Sequence, residues 1–321
     1  MHRASRLHGP WWPSQQHGQA ALVLPLLVRP RRHPVLERHR GQLGQRAQAP
    51  GRCGQSHRAG TLRGLTVNIK GQVAVVTGAS RGVGQEIANA LEERGMVVAS
   101  VARSAARFSA DVSDPADVAR LKTAVEAELG QPSVLINAAG IFGPIALVKD
   151  GDPKEWVETI MIDAVGPYLV SRAFLGGMVD AGWGRIVNLS SAASLHTPGP
   201  MNSAYGTAKV ALNQFTRHLA AELEGTGVTA NVIHPGDVKT AMWADIRDKK
   251  DAVRGDGSVY DSWVTWVDET GGDPPEKAAK LVIDIIENDV NGRFLWIDDP
   301  LQSPIPSWGD SADPLSSLRS E

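Results

Sequence analysis

The chain has 321 residues, 42% of them hydrophobic and 21% charged, with a formal net charge of −2. That is length enough for a large buried core, and the charge balance gives no reason to expect nucleic acid or an anionic membrane as a partner. The single cysteine, Cys53, excludes an intrachain disulfide framework and a cysteine metal site, and it fits a cytoplasmic protein.

The charge is unevenly spread. Residues 1–66 hold eleven arginines, no lysine, one acid (Glu37) and six of the nine histidines. The remainder carries 22 basic and 34 acidic side chains. The head shows no sustained periodicity and reads as a disordered basic extension. Three readings of it stay open: a non-functional stretch from a start placed too early, a targeting peptide, and a basic arm for a polyanion. Pro10, Pro13, Pro25, Pro30 and Pro34 argue against the amphipathic helix that a targeting signal needs. The apolar stretch at residues 20–28 is broken by Pro25 and is too short to cross a bilayer.

Regular structure is expected from Val67 to about residue 300, followed by a loose tail over 301–321. Residues 72–77 (QVAVVT) read as a buried strand. A glycine turn and a helix to about Arg94 follow, then a second strand at 96–101 (MVVASV). Asp114 caps the next helix, with Pro115 at its first position. Residues 134–137 (VLIN) form another strand. A long helix starts near Pro153, a strand covers 185–189, a helix covers 203–224, and a strand covers 229–233. Pro274 and Pro275 open a late helix, and 293–297 (RFLWI) closes the sheet. This alternation predicts an α/β fold: a Rossmann-like, doubly wound parallel sheet in three layers, α/β/α, as a single domain.

The turn after the first strand reads TGASRGVG over residues 77–84, with glycines at 78, 82 and 84. A pyrophosphate must approach the backbone closely there, and a helix N-terminus supplies N–H groups and partial positive charge. In dinucleotide-binding folds an acid ending the second strand bonds the ribose 2′-hydroxyl. Here no acid is present and Arg103 follows at once. A guanidinium suits a 2′-phosphate, and Arg81 in the turn has the same reach. NADP is therefore the expected cofactor, with NAD still open.

Tyr205 and Lys209 lie four apart on a predicted helix and so share a face. A free tyrosine titrates near pH ~10, and acid–base work at neutral pH asks for a downward shift of roughly three units. A neighbouring ammonium supplies part of that shift by stabilising the phenolate. Ser190 and Ser191 end the preceding strand, where ligands sit in such folds. A serine there can hydrogen-bond a substrate oxygen, although serine is also a common turn residue at a strand end.

Taken together, TGASRGVG, Asp111-Val112, Asn137-Ala138-Ala139-Gly140, Ser190-Ser191, YGTAK at 205–209 and Pro235-Gly236 resemble the compact branch of the short-chain dehydrogenase/reductase family. The resemblance covers about residues 68–300. It implies that Tyr205 transfers the proton, that Lys209 binds the nicotinamide ribose and lowers the tyrosine pKa, and that Ser191, rather than Ser190, holds the substrate oxygen. It implies that Gly78, Ser80, Arg81, Gly82 and Gly84 wrap the diphosphate and adenosine side. By the same resemblance, Asp111 and Val112 contact adenine, and Asn137 and Gly140 border the adenosine ribose. Pro235, Gly236, Val238 and Thr240 line the carboxamide. A homodimer or homotetramer through the helices near 155–180 and 203–224 is implied as well.

The sequence departs from the family in three places. Ala138 replaces an asparagine, for which a local adjustment is expected. Asp163 stands where the family has an asparagine that holds a water in a proton relay behind the lysine. An ionised Asp163 is acceptor-only, and it either binds that water or raises the Lys209 pKa. The Ser191–Tyr205 gap also runs one residue long. The expected activity is hydride transfer between NADP(H) and a small carbonyl or alcohol, with no metal needed. Asp163 keeps one alternative open, a catalytically silent NADP(H)-sensing protein of the same fold. Met242, Trp243, Tyr260, Trp263 and Trp266 either line a substrate lid or pack against the body. His196 lies near the expected pocket mouth and is not read as a base. The segment 304–308 (PIPSW) is read as folding over the pocket or joining an interface.

Overall fold

Seven strands form one sheet: β1 (Val73–Thr77), β2 (Val97–Ala102), β3 (Phe108–Ser109), β4 (Pro132–Asn137), β5 (Gly184–Leu189), β6 (Val228–His234) and β7 (Phe294–Trp296). Their spatial order is β3-β2-β1-β4-β5-β6-β7, and every pairing is parallel. The structure is a computed structural model that describes residues 67–195, 198–250 and 257–298. The basic head with Cys53, His196 and the segment 304–308 lie outside the described residues.

The side-chain period of two explains how the sheet is covered. Along β1, Ala74 and Val76 join one apolar cluster, while Val73 and Val75 join another. The first cluster is closed by α1 (Gly82–Glu93) and α8 (Pro275–Glu287), through Ile87, Leu91, Val282 and Ile286. The second is closed by α2 (Pro115–Leu129), α4 (Gly166–Asp180) and α5 (Ser203–Glu222), through Leu121, Val125, Phe174, Met178 and Leu219. The expected three-layer α/β/α architecture is what forms. Asp114 caps α2 through its side chain, which accepts from the Ala116 N–H at 2.8 Å, and Pro115 takes the first turn, as expected.

Two features were not foreseen. β3 has only two residues, too few for any periodicity to announce it. The long helix expected from Pro153 is interrupted: α3 (Pro153–Ile160) passes into a π-helical turn at Met161–Val165 before α4 begins. Such turns widen a helix by one residue and occur often at functional sites.

Beyond β6 the chain forms α6 (Ala241–Lys250) and α7 (Asp261–Thr270). Trp243, Ile246, Tyr260, Val264 and Val267 build a third apolar cluster there, together with Ile145 and Met201.

The sheet order reverses between β1 and β4, which opens a crevice at their carboxyl ends. Thr77 holds the two ends in register. Its Oγ1 accepts from the Ala138 and Ala139 N–H groups at 3.1 and 3.2 Å. Thr77→Val keeps the shape and leaves both donors without that acceptor. We expect a stability loss of about 1–3 kcal/mol by urea unfolding, largely restored in Thr77→Ser.

Candidate active site

One cavity of about 670 Å³ runs along the carboxyl edge of the sheet. Its lining includes Gly78, Ser80, Arg81, Gly82, Arg103, Asp111 and Val112. It also includes Gly140, Ser191, Tyr205, Lys209, Pro235, Gly236, Val238 and Thr240. Most residues singled out in the sequence are thus brought to one site. Gly84, Asn137 and Asp163 do not line it. Gly84 lies off the cavity, and its role is packing: a Cβ there would stand 2.4 Å from the Gly78 carbonyl oxygen. Asn137 also turns away from the ribose side. Its amide donates to Ser171 Oγ at 3.2 Å and to Asn188 Oδ1 at 2.8 Å, in a buried network that continues to Thr216. The sheet pleat sends this side chain into the helix layer, so it ties β4 to β5 and α4.

The glycine turn is built for close approach. Gly78 has φ of 68°, and a Cβ there would meet the Ala138 oxygen and Ala139 nitrogen at 2.7 Å. The N-terminus of α1 has no side-chain cap, so its first N–H groups remain available. Arg81 and Arg103 are exposed, and neither forms an ion pair among the described residues. Asp111 is already engaged, accepting from the Ser113 N–H and hydroxyl at 2.9 and 2.6 Å, which hold its carboxyl below the ordinary value. These features fit a phosphate-rich dinucleotide. Glycine clearance, a helix N-terminus and unpaired guanidinium groups are what such a ligand requires.

Ser191 caps a short turn at Ala192–Ser194, its Oγ accepting from the Ala193 N–H at 3.2 Å, and it lines the cavity with Tyr205, whose pKa it helps to lower. Ser190 is buried and its hydroxyl lies 3.4 Å from Ser194 Oγ. Both serines line the cavity, and Ser191 is the one that acts on the Tyr205 pKa. Lys209 Nζ donates to the Leu189 carbonyl at 3.1 Å and sits 5.3 Å from the Tyr205 ring centre. Asp163 sits in the π-helical turn, fully buried, with Oδ2 3.0 Å from Lys209 Nζ. Its Oδ1 accepts from the Ile141 N–H at 2.8 Å. Asp163 does not line the cavity; its carboxylate reaches Lys209, which does.

This pair changes the electrostatics expected from the tyrosine–lysine spacing alone. Burial works against the Lys209 ammonium, but Asp163 and Tyr205 outweigh it and push its pKa up. Burial also raises Asp163, with Lys209 and the Ile141 N–H opposing. Tyr205 is not lowered in the ligand-free protein. Burial pushes it up; Lys209 opposes this, Asp163 adds to it, the Ser191 hydrogen bond opposes, and Asp237 adds to it. Tyr205 is thus held as the neutral phenol.

Sequence reasoning missed two cavity residues. His234, at the end of β6, accepts from the Ala192 N–H at 3.2 Å through Nδ1. Asp237 follows Pro235-Gly236, and burial raises its carboxyl to about 6, with a Trp263 hydrogen bond opposing and Asp273 adding. Of the aromatic segment, Met242, Trp243 and Trp263 line the cavity, whereas Tyr260 packs in the third cluster and donates to the Met201 carbonyl at 3.1 Å.

The family model for short chain dehydrogenases matches residues 72–251. The chain belongs to the short-chain dehydrogenase family. The 3-oxoacyl-(acyl-carrier-protein) reductase of Pseudomonas aeruginosa is 36% identical over 56% of this chain and 79% of its own length. The 2-(S)-hydroxypropyl-CoM dehydrogenase 3 of Xanthobacter autotrophicus is 35% identical, over 54% of this chain and 74% of its own. The crystal structure of an NAD+-bound xylitol dehydrogenase superposes with a TM-score of 0.64 at 24% identity, covering 72% of this chain and 99% of that one, and bears on the fold. Family membership makes this chain an oxidoreductase of the class acting on CH–OH groups.

The chain has three tyrosines, Tyr168, Tyr205 and Tyr260. This makes the role of Asp163 measurable without substrate. In Asp163→Asn the negative charge that helps raise Tyr205 is gone, so its titration, followed by ultraviolet absorbance and assigned with Tyr205→Phe, should move to lower pH. An unmoved Tyr205 titration would show that Asp163 does not govern it.

Proposed function

We propose that this chain reduces a small carbonyl compound with NADPH, and oxidises the corresponding alcohol in reverse. The observation that carries the reading is the convergence of Ser191, Tyr205 and Lys209 in one cavity with a glycine cradle. When bound, the cofactor supplies or accepts the hydride. The chain supplies the rest. Ser191 and Tyr205 hydrogen-bond the carbonyl oxygen. Tyr205, held as a neutral phenol, donates its proton to that oxygen as hydride arrives at the carbon. Lys209 then stabilises the phenolate. Asp163 keeps Lys209 protonated and fixed in place.

NADP is favoured over NAD because Arg81 and Arg103 line the cavity and no acid closes β2. The substrate contact is completed by the aromatic wall of α6 and α7. Location in the cytoplasm agrees with a chain having one cysteine. Among the described residues, no helix is long and apolar enough to cross a membrane. Association through the outer faces of α3, α4 and α5 is supported by exposed Val157, Tyr168, Val179 and Val210. The silent-sensor reading is favoured by one observation, the buried Asp163–Lys209 pair, which leaves Tyr205 raised in the free protein.

With a panel of ketones and aldehydes, NADPH oxidation followed by absorbance should be fast in the wild type and fall by at least ~10²-fold in Tyr205→Phe, with NADPH still bound. Tight NADPH binding with no turnover across the panel would favour the sensor. Arg103→Ala should lower the preference for NADPH over NADH by about tenfold, from the loss of a charge-assisted contact. An unchanged ratio would remove Arg103 from cofactor selection.

A further inference from the structure

Asp237 is a cavity carboxylate that the reaction above does not use. It sits directly after Pro235-Gly236, at the carboxyl end of β6, and shares the cavity with Tyr205 and Trp263. Its backbone is clamped. The Asp237 N–H donates to Asp273 Oδ2 at 2.8 Å, and its carbonyl accepts from the Asp273 N–H at 3.0 Å. Gly236, at φ of 85°, has no space for a side chain, since a Cβ would lie 2.7 Å from Ile297 Cδ1 and 2.8 Å from Asp273 Oδ2. The Asp237 backbone is therefore held in place at the cavity.

Its surroundings leave it short of partners. Trp263 on α7 lines the same cavity, and its side chain favours the ionised form of the carboxyl. The nearby lysines are committed elsewhere: Lys209 to Asp163 at 3.0 Å and Lys239 to Asp268 at 2.8 Å. No cationic side chain pairs with Asp237 among the described residues. A half-buried carboxylate with one neutral donor keeps unused acceptor capacity and carries a desolvation cost until a cation or further donors arrive. Phe142, with its ring centre 4.9 Å from that of Tyr205, and Trp263 supply aromatic surface in the same cavity. Aromatic faces with a carboxylate suit an ammonium group.

We propose that Asp237 forms a subsite for a protonated amine on the substrate. The enzyme would then select carbonyl compounds that carry an ammonium group and discriminate against those with a carboxylate at the same place. The inference rests on the oxidoreductase reading and names its substrate class. Burial, opposed by Trp263 and reinforced by Asp273, raises the Asp237 carboxyl to about 6, so it is largely ionised near neutral pH.

Three aryl ketones of matched size test this with the full chain: 4-(aminomethyl)acetophenone, 4-ethylacetophenone and 4-acetylbenzoate. Binding to the NADPH-loaded protein is measured by calorimetry, and turnover by NADPH absorbance. The aminomethyl ketone should bind about tenfold tighter than the ethyl ketone, the difference appearing in KM, with the carboxylate weakest. In Asp237→Asn that preference should collapse. Equal binding of the three, no binding at all, or a preference unchanged in Asp237→Asn would overturn the subsite. A variant that loses oxidised cofactor but keeps the amine preference would assign the carboxylate to the nicotinamide instead and overturn it too. Amine-selective binding without turnover would sustain the subsite while overturning the oxidoreductase reading.

Discussion

A parallel sheet has no face for water, and that constraint organises this protein. Every strand must be apolar on both sides, so helices cover both, and polar chemistry is driven to the strand ends. The reversal of strand order between β1 and β4 then leaves one crevice at the carboxyl edge. The glycine cradle, Ser191, Tyr205 and Lys209 all border that crevice, although more than a hundred residues separate the first from the last. Thr77 is a small part with a large consequence, because one hydroxyl holds both lips of the crevice in register.

Within the crevice the dominant effect is burial. It pushes Tyr205 toward the phenol and works against the Lys209 ammonium. Asp163 reverses the second effect and strengthens the first. An asparagine at the same place would carry no charge and would do neither. Asp163 is therefore a trade. It secures a charged lysine in a dry site, and it makes phenolate formation harder until positive charge arrives with an oxidised nicotinamide ring. That arrangement suits proton donation to a carbonyl oxygen. The π-helical turn at Met161–Val165 is where the backbone accommodates this carboxylate, facing Gly140 and the Ile141 N–H.

Arg81, Arg103, Asp111, Lys209 and Asp237 all line one cavity. With the arginines given to an anionic cofactor and Asp237 to a cationic substrate group, as proposed, each ligand would be discouraged from the place of the other.

The sequence by itself determined the strand–helix alternation, the glycine turn and the shared face of Tyr205 and Lys209. These depend on short-range periodicity, on missing β-carbons and on a four-residue helical spacing, all local properties. β3 escaped because two residues have no period. Tertiary structure alone decided the rest. Asn137 belongs to a motif, yet the pleat of β4 turns its amide into the helix layer. Ser191 rather than Ser190 acts on the Tyr205 pKa, and it is Ser190 that is buried. Asp237 and Trp263 meet only when α7 packs against the sheet edge. The direction of the Tyr205 pKa was likewise beyond the sequence, because desolvation depends on what covers a side chain, and distant segments do the covering.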